Sequence, residues 1–592
     1  MKTVATKTHT FTLSSDSDVF SSTLHVKTLE PGVDLIHLKL TAPQAERPPI
    51  FYLRWNHPVH DIHACWNPVS ERSKSFKVDY GQGFRSNAAT SAPVVSLFNT
   101  NGENRLTFAF SDALNTIRYR AGISEEDATF HCSIEMFTEV TAPLDTYEGT
   151  LLVDTRNLPY YESLNNVQVW WSGMPEYLPA PVPEAARNPM YSTWYSMHQQ
   201  ITAADIEAQC AIAKTMGMDA VIVDDGWQTG DNNRGYAYCG DWEVYTDKVP
   251  NMRAHVDAVH RLGMKFVLWY SVPFVGKFSQ VWQRFQNKIL TFNERLGAGV
   301  LDPRYPDVRD YIIEKYEDAV KEWDLDGFKL DFIDSFYVQE ESAALTKDGH
   351  DYTSVPAAVD RLLTDTINRL RAIKPDIMIE FRQSYIGPAM RKYGNMFRAS
   401  DCPYGAISNR VRTLDIRLIC GDTAAHADMI MWHEGEPVES AALQMLNILF
   451  SVPQVSVLLD RLPSDHYQML QHWLGFWREH RDVLLDGKLY PLNPELLYPT
   501  VRAEANDKTI IVSYHDAMVT LDEVLHVSQI IVVNSKMKEG LYLETKDSLG
   551  SVRIEIYDCC GSTVDTRTET LRSGIHPLNI PAAGYAVIKK VE

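Results

Sequence analysis

The sequence predicts a multidomain protein: a central (β/α)8 TIM barrel flanked by an N-terminal β-sandwich and a small C-terminal antiparallel β-sandwich. Three observations predict it. Short alternating apolar runs in the first third give way to apolar strands separated by amphipathic helical stretches, and the β-type rhythm returns at the end. Eight strands can be counted in the middle region, and strands alternating with helices imply a parallel sheet that closes at eight. A chain of 592 residues is also too long for one hydrophobic core.

The first region carries LHVKTL, DLIHLKL, RLTFAF, FHCSIEMF, TLLVDT and VQVWW, each bounded by turn residues. Alternation of this kind marks strands with one buried face, so residues 1–182 are expected to form a sandwich. The Pro-rich LPAPVPEAARNPM (178–190) reads as the linker. Barrel strands are then expected in PMYSTWYS, MDAVIVDDGW, KFVLWYSV, DGFKLDFID, DIMIEFRQ, NMFRASD, ADMIMWH and QVSVLLD. Helices are expected in TAADIEAQCAIAKTMG, RAHVDAVHRLG, PDVRDYIIEKYEDAVKEW and VPAAVDRLLTDTINRLRAIK, within a barrel domain at 183–487. TIIVSYH, QIIVVNS, GLYLET, VRIEIYD and YAVIKKV assign a second sandwich to 488–592.

Composition narrows the function. A formal charge of -21 argues against nucleic acid or an anionic membrane as partner, because both need clustered Lys and Arg. The start, MKTVATKTHTFTLSS, has no apolar core of a secretory signal, and no run of about eighteen apolar residues occurs. A cytoplasmic protein is expected. The eight cysteines are scattered without a CxxC pair, and Cys559 and Cys560 are adjacent, so reduced thiols are expected rather than a zinc site or disulfide framework.

In a (β/α)8 barrel the active site lies at the C-terminal ends of the strands. Those ends hold Trp194 and Tyr195, Asp224 and Asp225, Trp269, Lys329 and Asp331, Arg382, Asp401, His433 and Asp460. Carboxylates and aromatics converging on one mouth suit glycosidic bond cleavage, which needs one ionised and one protonated carboxyl. Lys329 and Asp331 share one side of their pleat, so Asp331 is the natural ionised member. Asp401 stands in a less basic setting and suits the acid, with Arg398 expected to face the other way. Asp224 and Asp225 lack an accompanying cluster of tightly spaced ligands, so no metal and no other cofactor is expected. His433 and Asp460 are expected to be structural.

Five fragments carry a family resemblance: IVDDGWQ (222–228), GDWEVYTDKVPN (240–251), VLDPRYPDVRDYI (300–312), FKLDF (328–332) and RASDCP (398–403). In order and spacing they resemble glycoside hydrolase family 36, the melibiase-like α-galactosidases. The resemblance implies a retaining, exo-acting α-galactosidase with Asp331 as nucleophile and Asp401 as general acid/base. Retention requires carboxyls roughly 5–5.5 Å apart. It further implies that Asp224 and Asp225 accept from the 4- and 6-hydroxyls of the sugar and that Lys329 holds the 3-hydroxyl. Trp194, Trp227, Trp242 and Trp269 would wall the pocket. An oligosaccharide or glycoside substrate and a homo-oligomer, dimer or tetramer, are implied as well.

Two segments depart from the family pattern. EFRQSYIGPAM (380–390) stands where a Cys-Ser-Gly-Gly-Gly run is usual, and WYSVPFVGKF (269–278) stands where Trp-Phe-Glu-Pro-Glu is usual. Arg382 could fork onto sugar hydroxyls or an anionic substituent, or pair with Glu380 or Asp401. The alternatives are therefore an α-galactosyl transferase similar to raffinose synthases, and a glycosidase for N-acetylgalactosamine, arabinopyranose or an anionic hexose. A barrel that only binds carbohydrate would lack one catalytic carboxylate, and both Asp331 and Asp401 are present.

Overall fold

The computed structural model describes residues 1–69, 73–139, 141–338 and 346–591. Two sheets of seven and six strands build the N-terminal region and end with the strand Leu144–Asp154. Their facing sides interdigitate Phe11, Leu13, Leu53, Trp55, Phe108, Ile134 and Leu151 into a core of their own. VQVWW, expected as a strand, belongs instead to a helix, Tyr160–Ser172. The buried residues Tyr160, Ser163, Leu164, Val167 and Trp171 recur every three or four positions, a helical period that the short window concealed. Trp171 Nε1 donates to the Phe110 carbonyl at 3.0 Å, which fastens this helix to the sandwich.

Eight parallel strands follow: β1 Met190–Ser192, β2 Ala220–Val223, β3 Lys265–Ser271, β4 Gly327–Asp331, β5 Met378–Arg382, β6 Met396–Arg398, β7 Ala424–His426 and β8 Gln454–Val455. Each neighbour in sequence is a neighbour in the sheet, and β8 pairs with β1. Single bridges from His426 to Val452 and from Ile430 to Val455 close β7 onto β8, so the sheet is a barrel. Strands β2, β3 and β4 are buried along nearly their whole length, as strands covered on both faces must be, and β4 carries Lys329 and Asp331 among its buried residues. The four expected helices are present, at Ala203–Thr215, Met252–Arg261, Pro306–Trp323 and Val355–Ile373. Thr202, Asn251 and Ser354 cap three of them by accepting from a backbone N–H three residues on.

The seventh strand differs from expectation. ADMIMWH follows it as loop, and the strand is the preceding Ala424–His426. The loop buries Met429, Ile430 and Trp432 and meets the sheet only through the single bridge from Ile430 to Val455.

The C-terminal strands form a seven-stranded sheet beginning at Lys488–Leu492 and a three-stranded sheet. They are mainly antiparallel, but Lys508–Ser513 runs parallel to Gln529–Asn534, and Val519–Thr520 parallel to Leu541–Thr545. All eight cysteines are free thiols. No helix among the described residues is long and apolar enough to cross a membrane.

Candidate active site

Asp331 is the last residue of β4 and is buried at the C-terminal end of the barrel. The next residue, Phe332, has φ +65°, which turns its N–H back onto Asp331 Oδ1 at 2.8 Å. The same oxygen accepts from Arg382 Nε at 2.7 Å and from the Tyr385 hydroxyl at 2.6 Å. The other oxygen, Oδ2, accepts from Trp269 Nε1 at 3.2 Å. Burial alone would raise the pKa of this carboxyl. Arg382, then Lys329, with the Tyr385 and Trp269 hydrogen bonds, override it and hold the group far below the usual carboxylate range.

Two expected pairings are therefore corrected. Lys329 does not bond Asp331: its Nζ lies 2.5 Å from Asp224 Oδ2, reaching across the barrel from β4 to the end of β2. Burial opposes the charge on Lys329, and Asp224 restores it. Arg382 in turn takes neither Glu380 nor Asp401 as partner but the carboxylate of Asp331. The pleat places Lys329 and Asp331 on one side, yet a strand interior lets the long ammonium stem cross to the facing carboxylate.

Asp401 is half-exposed in the loop beyond β6, and its Oδ1 accepts from Arg398 at 2.9 Å. The expectation that Arg398 faces away fails because the strand stops at Arg398, so no pleat relates the two residues. Burial would raise the Asp401 pKa, but Arg398 and then Lys329 lower it below the ordinary value, against a smaller opposing effect of Asp331. Arg398 is buried and also bonds Asp428, which accepts from the Tyr195 hydroxyl at 2.8 Å and the Cys402 N–H at 2.6 Å.

Asp224 and Asp225 both follow the end of β2 at Val223. Both are buried, and the oxygens of Asp225 are taken by Gln199 Nε2 and Gln228 Nε2, each at 2.7 Å. Burial, ahead of the repulsion from Asp224, pushes its carboxyl up to about 7. Among the tryptophans, Trp269 touches Asp331 and Trp194 is partly exposed at the end of β1. Trp227, expected in the wall, is fully buried one layer beneath, donating to the Trp269 carbonyl at 3.0 Å and stacking on Trp242. Asp460 accepts from Gln209 at 2.7 Å, and His433 is exposed and bonds the turn at Gly435. Neither belongs to the cluster. Sequence reasoning missed Tyr385 and Tyr236. Tyr236 stacks on Trp269 and packs edge-on against Phe332. Each lies in a loop whose approach to the mouth is set only by the closed barrel.

The fold and this cluster define the class, a (β/α)8-barrel protein with buried carboxylates and aromatics gathered at the C-terminal ends of its strands. Residues 182–402 match the family model for melibiase. The chain is 27% identical over 175 residues to α-galactosidase Mel36A of Lactobacillus acidophilus and 25% identical over 205 residues to an α-galactosidase of Escherichia coli. These alignments take in 28% and 33% of this chain, and only 23% and 28% of those curated relatives. Among solved structures, the α-galactosidase AgaA of Geobacillus stearothermophilus superposes with a TM-score of 0.66 at 16% identity, over 98% of this chain and 83% of that one. The Lactobacillus brevis α-galactosidase superposes with a TM-score of 0.66 at 14% identity, over 99% and 82%. Residues 182–402 therefore match melibiase, and over nearly its whole length the chain shares the fold of glycoside hydrolase family 36 α-galactosidases.

Proposed function

We propose that the protein is a retaining, exo-acting α-galactosidase that works by double displacement, with Asp331 as nucleophile and Asp401 as general acid/base. One observation carries the proposal. Two electrostatically coupled carboxyls stand at the mouth, one buried under four donors and kept ionised, the other half-exposed beside a single arginine. The first has the environment of a nucleophile, and the second can meet a leaving group and water. Crystal structures of variants of the Geobacillus AgaA hold raffinose and stachyose, which favours a neutral α-linked galactose as the glycone here.

In the first step the Asp331 carboxylate bonds the anomeric carbon as the bond to the aglycone oxygen breaks, and Asp401 gives that oxygen its proton. In the second, water attacks the same carbon, its proton passes to Asp401, and the electron pair of the sugar–Asp331 bond returns to the carboxylate. Arg398 draws Asp401 toward the ionised form, so the incoming sugar must weaken that bond before Asp401 can act as an acid. The paired Lys329 and Asp224 offer a donor and an acceptor to ring hydroxyls, and Asp225 acts on the sugar by fixing Gln199 and Gln228. Trp194, Trp242 and Trp269 are assigned to the pocket wall. The test is turnover of an aryl α-galactoside with the first anomer followed by NMR. Asp331→Ala should abolish release and the wild type should give the α-anomer first. Unchanged turnover in the variant, or a β-anomer first, refutes the mechanism.

A further inference from the structure

The two oxygens of Asp331 are not equivalent. Oδ1 accepts three hydrogen bonds, from Phe332 N–H, Arg382 Nε and the Tyr385 hydroxyl, whereas Trp269 Nε1 reaches Oδ2 at a longer 3.2 Å. Both donors that could move are held. Arg382 NH1 donates to the Gln383 carbonyl at 3.0 Å, and its guanidinium lies 5.4 Å from the Phe332 ring centre and 5.2 Å from that of Tyr385. Tyr385 is fully buried. Three donors lower the electron density of Oδ1 and fix the carboxylate plane, which leaves Oδ2 as the oxygen free to attack.

We infer that Oδ2 of Asp331 bonds the anomeric carbon, that Oδ1 becomes the carbonyl oxygen of the glycosyl-enzyme ester, and that Arg382 and Tyr385 serve chiefly the second step by drawing charge back onto Oδ1. This rests on the double-displacement function proposed above. The direction follows from charge. Forming the ester consumes the anion that Arg382 stabilises, so Arg382 does not speed the first step. Breaking the ester regenerates that anion, as water bonds the anomeric carbon and the pair of the C–Oδ2 bond returns to the carboxylate. A guanidinium already hydrogen-bonded to Oδ1 stabilises the departing carboxylate without reorganisation. Arg382 thus acts as a positioning residue, at the last position of β5, that sets the balance between forming and hydrolysing the intermediate.

The test is rapid-mixing kinetics with 2,4-dinitrophenyl α-galactoside, whose leaving group needs no acid. Arg382→Met should slow hydrolysis of the intermediate about 10- to 100-fold, the loss of one charge-assisted hydrogen bond. A burst of one dinitrophenolate per chain should then precede a slower steady state, KM should fall along with kcat, and the acidic limb of kcat/KM should move to higher pH as Asp331 becomes easier to protonate. Tyr385→Phe should show the same pattern more weakly, and Arg382→Lys should recover part of the steady-state rate. Equal losses in kcat and kcat/KM, with no burst and an unmoved acidic limb in both Arg382→Met and Tyr385→Phe, overturn the inference while leaving Asp331 as nucleophile. A wild type that carries no sugar on Asp331 after trapping with a fluorinated galactosyl fluoride overturns the mechanism as well.

Discussion

Changing Lys74→Met removes the cation of a fully buried ion pair that joins the N-terminal sandwich to the barrel. Lys74 Nζ lies 2.8 Å from Asp415 Oδ2, and both side chains are 1% exposed. Asp415 sits on the helix Ala406–Arg417, and its other oxygen accepts from Trp66 Nε1 at 2.8 Å and from the Tyr498 hydroxyl. Three regions of the chain therefore converge on one carboxylate. With Lys74 gone, Asp415 keeps two neutral donors but loses its counter-charge in a site that water does not reach. Removing one partner of a buried pair costs about 3–5 kcal/mol, which corresponds to roughly 10²- to 4 × 10³-fold in a local opening equilibrium. Hydrogen exchange read by mass spectrometry resolves this better than a melting curve, because a chain with three core regions need not unfold in one step. Amides of Ala64–Trp66 and Ala406–Arg417 should exchange faster by that factor, while those of β2 and β3 should not change. Lys39→Met, in a pair whose side chains are 49% and 65% exposed, is the control and should have no measurable effect. A change below tenfold at both segments would refute the idea that this pair anchors the docking.

Two further outcomes follow from the site carboxyls. Asp401 has a lowered pKa, so the protonated, acid-competent fraction of the free enzyme falls as pH rises through that value. With alkyl galactosides kcat/KM should therefore decline from acidic toward neutral pH, and with the dinitrophenyl substrate this decline should vanish; identical profiles for both would exclude Asp401 as the acid. Asp225 is raised from 3.8 to about 7, so the folded state holds its proton more tightly than the unfolded chain. Its contribution is complete below pH 3.8 and is lost as pH rises through about 7, at most ~4 kcal/mol. The melting temperature of Asp225→Asn should accordingly gain on the wild type between pH 5 and pH 8, and an unchanged difference would contradict the assignment.

The architecture was legible in the sequence where a long pattern expressed it. Eight apolar segments separated by amphipathic helices announce a barrel, and the strand ends then nominate Lys329, Asp331, Arg382 and Asp401 without any coordinates. Where the pattern was short it misled. VQVWW alternates over five residues but is helical over thirteen, and ADMIMWH is a buried loop with one bridge to β8 where a full strand was expected. Partner choice was not legible at all. Lys329 reaches Asp224, 105 residues away in the chain, and Arg382 reaches Asp331, 51 residues away. Such pairings depend on which strand ends the closed barrel brings together and on where each strand stops, as the end of β6 at Arg398 shows for Asp401.

Partner choice also bears on whether the sugar is neutral or anionic. An anionic hexose would need an uncommitted cation near the reacting carbon, and Arg382 was the candidate. Its Nε is given to Asp331 and its NH1 to the Gln383 carbonyl. Recruiting it to a carboxylate or sulfonate on the sugar would break a charge-assisted hydrogen bond worth about 1.5–3 kcal/mol and raise the pKa of the nucleophile it stabilises. Two further cations at the mouth are committed as well, Lys329 to Asp224 and Arg398 to Asp401 and Asp428. The ligand's new pairing would have to exceed both losses in the same site, so a neutral glycone is favoured. Comparing kcat/KM for aryl α-galactoside and aryl α-galacturonide decides the matter. The neutral substrate should lead by about 10- to 100-fold. The lead should narrow in 1 M salt less than a surface effect would, since the charges involved are buried and poorly screened. Faster turnover of the galacturonide would mean that Arg382 leaves Asp331 when sugar binds, and the neutral assignment would fall with the pairing that supports it.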